Sequence, residues 1–267
     1  MMKKIVFFDL DGTLLTHQKT ILESTKQAIR LLKENGVYVA IATGRVPTTF
    51  QWIREELDIQ SYVSINGQYV VFEGKEIYEN PVDKQWLHEL TQKATEKGHA
   101  VGYCNHEHVK VNEPGNPNIE NSYAHLDINY PEIDGTLYER APVYQAHLYC
   151  DRASEKWYVD QYPAYKFVRW GDYAMDVLPA GGSKAVGIQQ MLKQVGIKLE
   201  NSYAFGDALN DIEMLETVGT GIAMGNGVPE AKKAADMVTT SCDEDGILNG
   251  LIAAGLLPES VKKEKTA

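Results

Sequence analysis

The sequence predicts an α/β chain: a doubly wound parallel-sheet core of Rossmann-like form, interrupted by an inserted α+β domain. Continuous apolar runs such as KIVFFD (4–9) and VYVAIATG (37–44) read as strands covered on both faces, as parallel strands are. Helical stretches alternate with such runs in the first and last thirds of the 267 residues, which is the grammar of βαβ units. The middle third breaks the alternation. Its strands follow one another closely and carry polar and aromatic residues, which fits a mostly antiparallel sheet with helices on one face. The expected division is 1–82 and 181–267 for the core and 83–180 for the insert.

Each element has its own signal. After the first strand, a helix is expected over 22–33, closed by Asn35-Gly36, and another over 47–57 with Pro47 in its first turn. YVSING (62–67) reads as the third strand. In the insert, helices are expected over 83–97 and 154–162. Strands there are expected at HAVGYCN (99–105), HVKVN (108–112), VYQAHLYC (143–150), YKFVRW (165–170) and YAMDVLP (173–179). NEPGNPNIEN (112–121) reads as a loop by its prolines, glycine and asparagines. The core resumes with a helix over 184–194 and the strand SYAFGD (202–207). A helix near 211–216, the strand TGIAM (220–224), a helix over 229–235 and the segment DMVTT (236–240) complete it.

Bulk properties narrow the function. The net charge of −11, with no basic block to offset it, argues against nucleic acid or anionic membrane as partners. A small phosphorylated ligand stays compatible, because a few local donors and a metal outweigh a distant field. Cys104, Cys150 and Cys242 are few, odd in number and widely spaced, so neither a disulfide framework nor a zinc site is indicated. The opening MMKKIVFFDL is broken by Asp9 and Asp11 too early for a secretory leader, and no apolar segment is long enough to span a bilayer. The expectation is a reduced, cytoplasmic protein, with no protein partner indicated.

Chemistry concentrates at the ends of core strands. Asp9 and Asp11 stand where the first strand stops, Thr43-Gly44-Arg45 where the second stops, and Asp207 where a later one stops. Asn210 and Asp211 occupy the following turn, and Lys184 opens a helix behind Gly181-Gly182. Open α/β sheets bind ligands beyond the carboxyl ends of their strands, so these groups can converge on one face. Carboxylates gathered there form a hard-oxygen site suited to Mg²⁺, and Thr43, Lys184, Asn210 and backbone N–H groups suit phosphate oxygens. The similar stretch EIDGTLYE (132–139) lacks an aspartate two residues before Asp134 and a buried strand ahead of it, so it reads as a turn.

DLDGTL, ATGR, GGSK and FGDALND resemble, in order, the four motifs of the haloacid dehalogenase-like phosphatases. GIAMGNGVPEAKKAADMVT and the length of the insert resemble the Cof-type branch, which carries a large C2-type (IIB-like) cap between its second and third motifs. The resemblance covers nearly the whole chain. It departs from the usual pattern at Ala185 and Gly227, both small-for-small changes. It implies an aspartyl-phosphate mechanism with Asp9 as nucleophile and Asp11 as general acid, then base. It also implies Leu10, Thr43, Gly44, Lys184 and Asn210 around the phosphate. Asp9, Asp11 through its backbone carbonyl, and Asp207 would hold Mg²⁺, with Asp211, Thr13 and Arg45 in support. The substrate implied is a small phosphorylated metabolite, a sugar phosphate or phosphorylated cofactor, with the cap closing over the site and selecting the leaving group. A phosphomutase on the same scaffold and a non-catalytic phosphometabolite sensor are the alternatives.

Other patterns carry weaker readings. VGTGIAMGNG (218–227) misplaces a glycine for dinucleotide binding, and GGSKA (181–185) lacks the upstream glycine of a phosphate loop. HEH (106–108) puts two histidines on one side of a possible strand, more simply a polar edge than a metal site. Tyr103, Tyr149, Trp157 and Trp170 read as core rather than as a ligand platform.

Overall fold

The computed structural model describes residues 3–124 and 129–266. The chain forms two compact units, one of residues 1–44, 51–78 and 183–267, the other of residues 45–50 and 79–182. The first unit begins with β1 (Ile5–Phe8), α1 (Glu23–Glu34), β2 (Tyr38–Ala42), α2 (Gln51–Leu57), β3 (Ser61–Ser64), β4 (Tyr69–Phe72) and β5 (Lys75–Glu79). The helix expected over 47–57 starts instead as a 3-10 turn, Pro47–Phe50. The strand expected over 62–67 stops at Ser64, because Ile65, Asn66 and Gly67 all take positive φ and form a 3-10 turn. Strands β4 and β5 form a hairpin around Glu73-Gly74, both of positive φ, which the sequence reading did not resolve.

The second unit contains α3 (Lys84–Glu96), β6 (Ala100–Cys104), β7 (Val109–Val111), α4 (Pro117–Ala124) and β8 (Glu132–Ile133). It continues with α5 (Leu137–Arg140), β9 (Gln145–Tyr149), α6 (Arg152–Gln161), β10 (Tyr165–Arg169) and β11 (Met175–Pro179). Its sheet runs β10-β11-β9-β6-β7-β8, antiparallel except for the β7–β8 pair. Alternation along β6 and β9 sends Val101, Tyr103, Ala146 and Leu148 into a core with Trp86, Leu90 and Tyr158 of α3 and α6. Ala100 and Tyr149 point the other way, against Ile119 and Tyr123 of α4. Helices therefore cover both faces rather than one. The segment expected as a loop over 112–121 enters α4 at Pro117, a residue whose fixed φ suits a first helical turn.

That second face buries a polar cluster. The His147 side chain is 12% exposed. Its Nε2 lies 3.2 Å from Cys104 Sγ and 3.2 Å from Gln145 Nε2, and its Nδ1 lies 3.1 Å from the Tyr149 hydroxyl. Burial pulls the imidazole from 6.5 down to about 4, so the folded chain holds it neutral where the unfolded chain would protonate it. Its contribution to stability is present above pH 6.5 and is lost as pH falls toward 4. His147→Gln should lose less stability than the native chain between those values in urea titrations at each pH. The difference between the two proteins reads His147 together with the Asp176 carboxylate 3.4 Å from its Nε2.

The chain returns to the first unit with α7 (Lys184–Val195), β12 (Ser202–Gly206), α8 (Ile212–Thr217), β13 (Thr220–Ala223), α9 (Pro229–Ala234), β14 (Met237–Val238) and α10 (Gly246–Ala253). Its sheet runs β14-β13-β12-β1-β2-β3-β4-β5, parallel from β14 to β3 and antiparallel from β3 to β4. Ile5, Phe7, Ala40, Val63 and Ala204 pack one face against Ile188, Met191, Met214 and Leu215 of α7 and α8. Phe8 and Phe205 stack on the opposite face with ring centroids 5.0 Å apart. Ser24 of α1 donates to Asp245, just ahead of α10, at 2.5 Å. Both faces are thus covered, as a doubly wound sheet requires.

Candidate active site

Strand order reverses at β1, which has β2 on one side and β12 on the other, and a crevice opens beyond the carboxyl ends at such a point. The Asp9 N–H donates to the Phe205 carbonyl at 3.0 Å, so the ladder continues one residue past β1 and fixes Asp9 in place. A tight loop follows. The Leu10 carbonyl accepts from the N–H groups of Thr13 (3.3 Å) and Leu15 (2.8 Å), and the Asp9 carbonyl accepts from Leu14 N–H (3.2 Å). Gly12 has φ +78°, and a β-carbon there would lie 2.4 Å from Asp207 Oδ2. Only glycine meets both demands. Gly12→Ala should cost about 1–3 kcal/mol in urea unfolding and displace Asp207, cutting turnover along with stability.

Lys184 begins α7, whose cap Ser183 accepts from the Val186 N–H at 3.4 Å. The 3-10 turn after β3 presses on this helix start: a β-carbon on Gly67 would lie 2.0 Å from the Ser183 carbonyl oxygen. Lys184 is 1% exposed. Its Nζ donates to Asp9 Oδ1 at 2.5 Å and to Asp211 Oδ1 at 2.6 Å. Asp211 Oδ2 accepts from the N–H groups of Asp207 and Ala208, both at 2.9 Å. Thr13 Oγ1 donates to Asp207 Oδ1 at 3.0 Å. Segments from both ends of the chain are thereby joined through one ammonium and three carboxylates.

The cluster is short of positive charge. Burial first, then the facing Asp211 carboxylate, push Asp9 up from 3.8 to about 8, and Lys184 offsets this only in part. Burial and Asp211 likewise push Asp207 up to about 6, against the Thr13 hydrogen bond. Burial works against the Lys184 charge, but Asp211 and Asp9 more than compensate and hold its pKa above the usual lysine value. Carboxylate oxygens of Asp9, Asp207 and Asp211 lie within 4.8 Å of one another. Octahedral magnesium, with oxygens at about 2.0–2.1 Å, spans opposite ligands about 4 Å apart, so an all-oxygen cluster of this size fits that ion.

The remaining sequence candidates lie outside the buried carboxylate trio. Asp11 is half-exposed, and its Oδ1 accepts from Lys19 Nζ at 2.7 Å, so its carboxylate stands outside the buried trio. Leu10 is fully buried. Thr43 is buried just past β2, its N–H donating to the Val63 carbonyl at 2.8 Å and its carbonyl accepting from Asn66 N–H at 3.1 Å. Gly44 packs so closely on Asn66 that a β-carbon would lie 2.9 Å from Asn66 Oδ1. Asn210 is exposed in the 3-10 turn after β12. Arg45 is half-buried and belongs to the second unit.

Two residues escaped the sequence reading. Asn66, at φ +50°, shapes the turn beside Thr43, and its signal was the Asn-Gly pair ending YVSING. Asn226 Nδ2 donates to the Gly12 carbonyl at 2.8 Å, and its Oδ1 accepts from the Cys242 N–H at 2.8 Å. No local pattern marks that contact, which spans 214 positions. Asp134 is a turn: Glu132 and Ile133 before it are exposed, and its carboxylate accepts from the Thr136 N–H at 3.2 Å and pairs with Arg140. The histidines of HEH sit in the bend between β6 and β7 rather than on a strand. Tyr103 and Tyr149 are fully buried, while Trp157 and Trp170 pack partly buried against the two cores.

Residues 6–251 match the haloacid dehalogenase-like hydrolase family. The chain is 42% identical to YkrA of Bacillus subtilis (strain 168), provisionally named a phosphatase, over 96% of this chain and 100% of that one. A Geobacillus kaustophilus protein of known crystal structure superposes with a TM-score of 0.92 at 49% identity, covering 96% of this chain and 100% of that one. The subclass IIB sugar phosphatase BT4131 superposes with a TM-score of 0.83 at 29% identity, over 96% of this chain and 100% of its own.

Proposed function

Since the chain belongs to the haloacid dehalogenase-like hydrolase family and is a phosphatase of that family, we propose that it is a Mg²⁺-dependent enzyme hydrolysing small phosphorylated metabolites through a phosphoryl group carried on Asp9. The observation that carries this reading is the fully buried Lys184 ammonium bridging Asp9 and Asp211 beside Asp207. Such an arrangement holds a carboxylate at a strand end while lowering the repulsion a phosphate dianion meets on approach.

Asp9 attacks phosphorus, forming an Asp9 O–P bond as the bond to the leaving oxygen breaks. Asp11 gives its proton to that oxygen, then takes one from the water that attacks the phosphoryl-aspartate, which returns Asp9 and releases phosphate. The Lys19–Asp11 pair lies at the surface and is worth about 0–1 kcal/mol, so it releases Asp11 readily. Lys184 screens Asp9, and Thr43, Gly44 and the backbone after Asp9 orient the phosphoryl oxygens, with Asn210 at the rim. Asp211 holds Lys184 and the Asp207 backbone in register. Asp9, Asp207 and the Asp11 backbone carbonyl would hold magnesium, which would supply Lewis-acid polarisation and charge neutralisation.

The inserted domain, residues 83–180, is assigned the choice of leaving group, and a sugar phosphate is the favoured class because the similar BT4131 is a sugar phosphatase. Among the described residues no helix is long and apolar enough to cross a membrane, and the cysteines are free, which suits action in the cytoplasm. A panel of phosphorylated metabolites, assayed for phosphate release with magnesium and after chelation, tests the reading. Release from sugar phosphates that stops on chelation and returns with magnesium is expected. Conversion to an isomeric phosphate without release would replace the hydrolase with a phosphomutase, and binding without either would leave a sensor.

A further inference from the structure

His17 and Cys242-Asp243 meet in the first unit, separated by more than 220 positions in sequence. The His17 N–H donates to Asp243 Oδ1 at 3.1 Å, and His17 Nδ1 hydrogen-bonds Asp243 Oδ2. Cys242 Sγ lies 3.7 Å from His17 Nδ1 and 3.9 Å from Asp243 Oδ1. One donor atom from each residue lies within 4.8 Å of the other two.

We propose that His17, Cys242 and Asp243 form a second metal site, for a thiophilic divalent ion of the zinc class, distinct from the carboxylate trio around Asp9. One imidazole, one thiolate and one carboxylate are the donor types such ions take, and magnesium favours none but the last. A tetrahedral ion with Zn–S of about 2.3 Å and Zn–N of about 2.0–2.1 Å sets donor–donor edges near 3.5 Å, close to the sulfur contacts observed. Cys242 is 4% exposed while His17 and Asp243 are open to solvent, so an ion enters from outside and keeps a fourth position for water. On binding, the ion takes the place of the direct His17–Asp243 hydrogen bond, and the Cys242 thiol gives up one proton to solvent. The cysteine is held for this by its backbone: its N–H reaches Asn226, which in turn grips the Gly12 carbonyl in the loop after Asp9.

The probe is Co²⁺, titrated into the full chain with magnesium saturating. The expected result is one equivalent of a thiolate-to-cobalt charge-transfer band, displaced by one equivalent of Zn²⁺. Cys242→Ser should abolish the band. His17→Ala and Asp243→Asn, substitutions at exposed positions, should keep the band but weaken cobalt binding at least tenfold. Absence of the band at stoichiometric cobalt, its persistence in Cys242→Ser, or unchanged affinity in His17→Ala would each overturn the proposal.

Discussion

Asp9→Asn should slow phosphate release by at least about 10⁴-fold while leaving the chain at least as stable as before. The amide keeps the size of the carboxylate and still offers an oxygen to Lys184, but it cannot take a phosphoryl group. Stability should hold because the substitution removes one negative charge from a cluster in which three carboxylates face a single ammonium. Burial already pushes Asp9 toward its neutral form, so a permanently neutral side chain relieves a cost the native chain carries. Unfolding in urea without divalent ions measures the second half of this expectation, and a phosphate-release assay the first. A variant that loses both activity and fold would mean that Asp9 acts mainly as a structural partner of Lys184.

Lys184→Met should do the opposite to stability. The methionine fills nearly the same volume, but Asp9 and Asp211 lose the ammonium that bridges them. Removing one member of a buried charge pair typically costs about 3–5 kcal/mol, because the remaining charge stays buried without its partner. Turnover should fall by about 10²–10³-fold, the usual cost of losing one preorganised group that stabilises transition-state charge. Saturating magnesium should recover part of the stability, since a bound cation is a second way to neutralise the same carboxylates. The double variant Asp9→Asn with Lys184→Met should be less destabilised than the sum of the singles, and a double-mutant cycle in urea reads that coupling directly. A destabilisation below about 1 kcal/mol would place Lys184 among ordinary lysines with satisfied surroundings.

Much of this was legible in sequence because strand ends announce themselves. KIVFFD stops at Asp9 and SYAFGD at Asp207, runs that fit buried parallel strands, and the parallel pairing of β1 with β12 puts their terminal aspartates on one edge of one sheet. What the spacing could not settle was direction. The one-residue separation of Asp9 and Asp11 suggested a shared pocket. Yet the turn at Gly12 leaves the Asp11 carboxylate half-exposed beside Lys19, while Asp211, expected in support, lies buried in the cluster through its bond to Lys184. The burial of Asp211 depends on two backbone N–H groups that orient it, a feature of the folded turn with no side-chain signature.

Elements were missed for similar reasons. The hairpin of β4 and β5 turns on Glu73, a residue that rarely takes positive φ, with only Gly74 to hint at it. Helix α10 contains Gly246 and Gly250, poor helix formers, and is stabilised by packing of Ile247, Leu248 and Leu251 into the first unit. In the insert, Pro117 looked like a loop marker and proved to be a helix start. Tertiary burial decided these cases over local preference.

Acid-quenching the enzyme during turnover, digesting it and weighing the peptide that carries Asp9 examines the central claim most directly. The account predicts a fraction of that peptide heavier by one PO₃ group when magnesium and a turned-over substrate are present, and none in Asp9→Asn. An unmodified Asp9 peptide throughout rapid turnover, or the added mass on another residue, would contradict it.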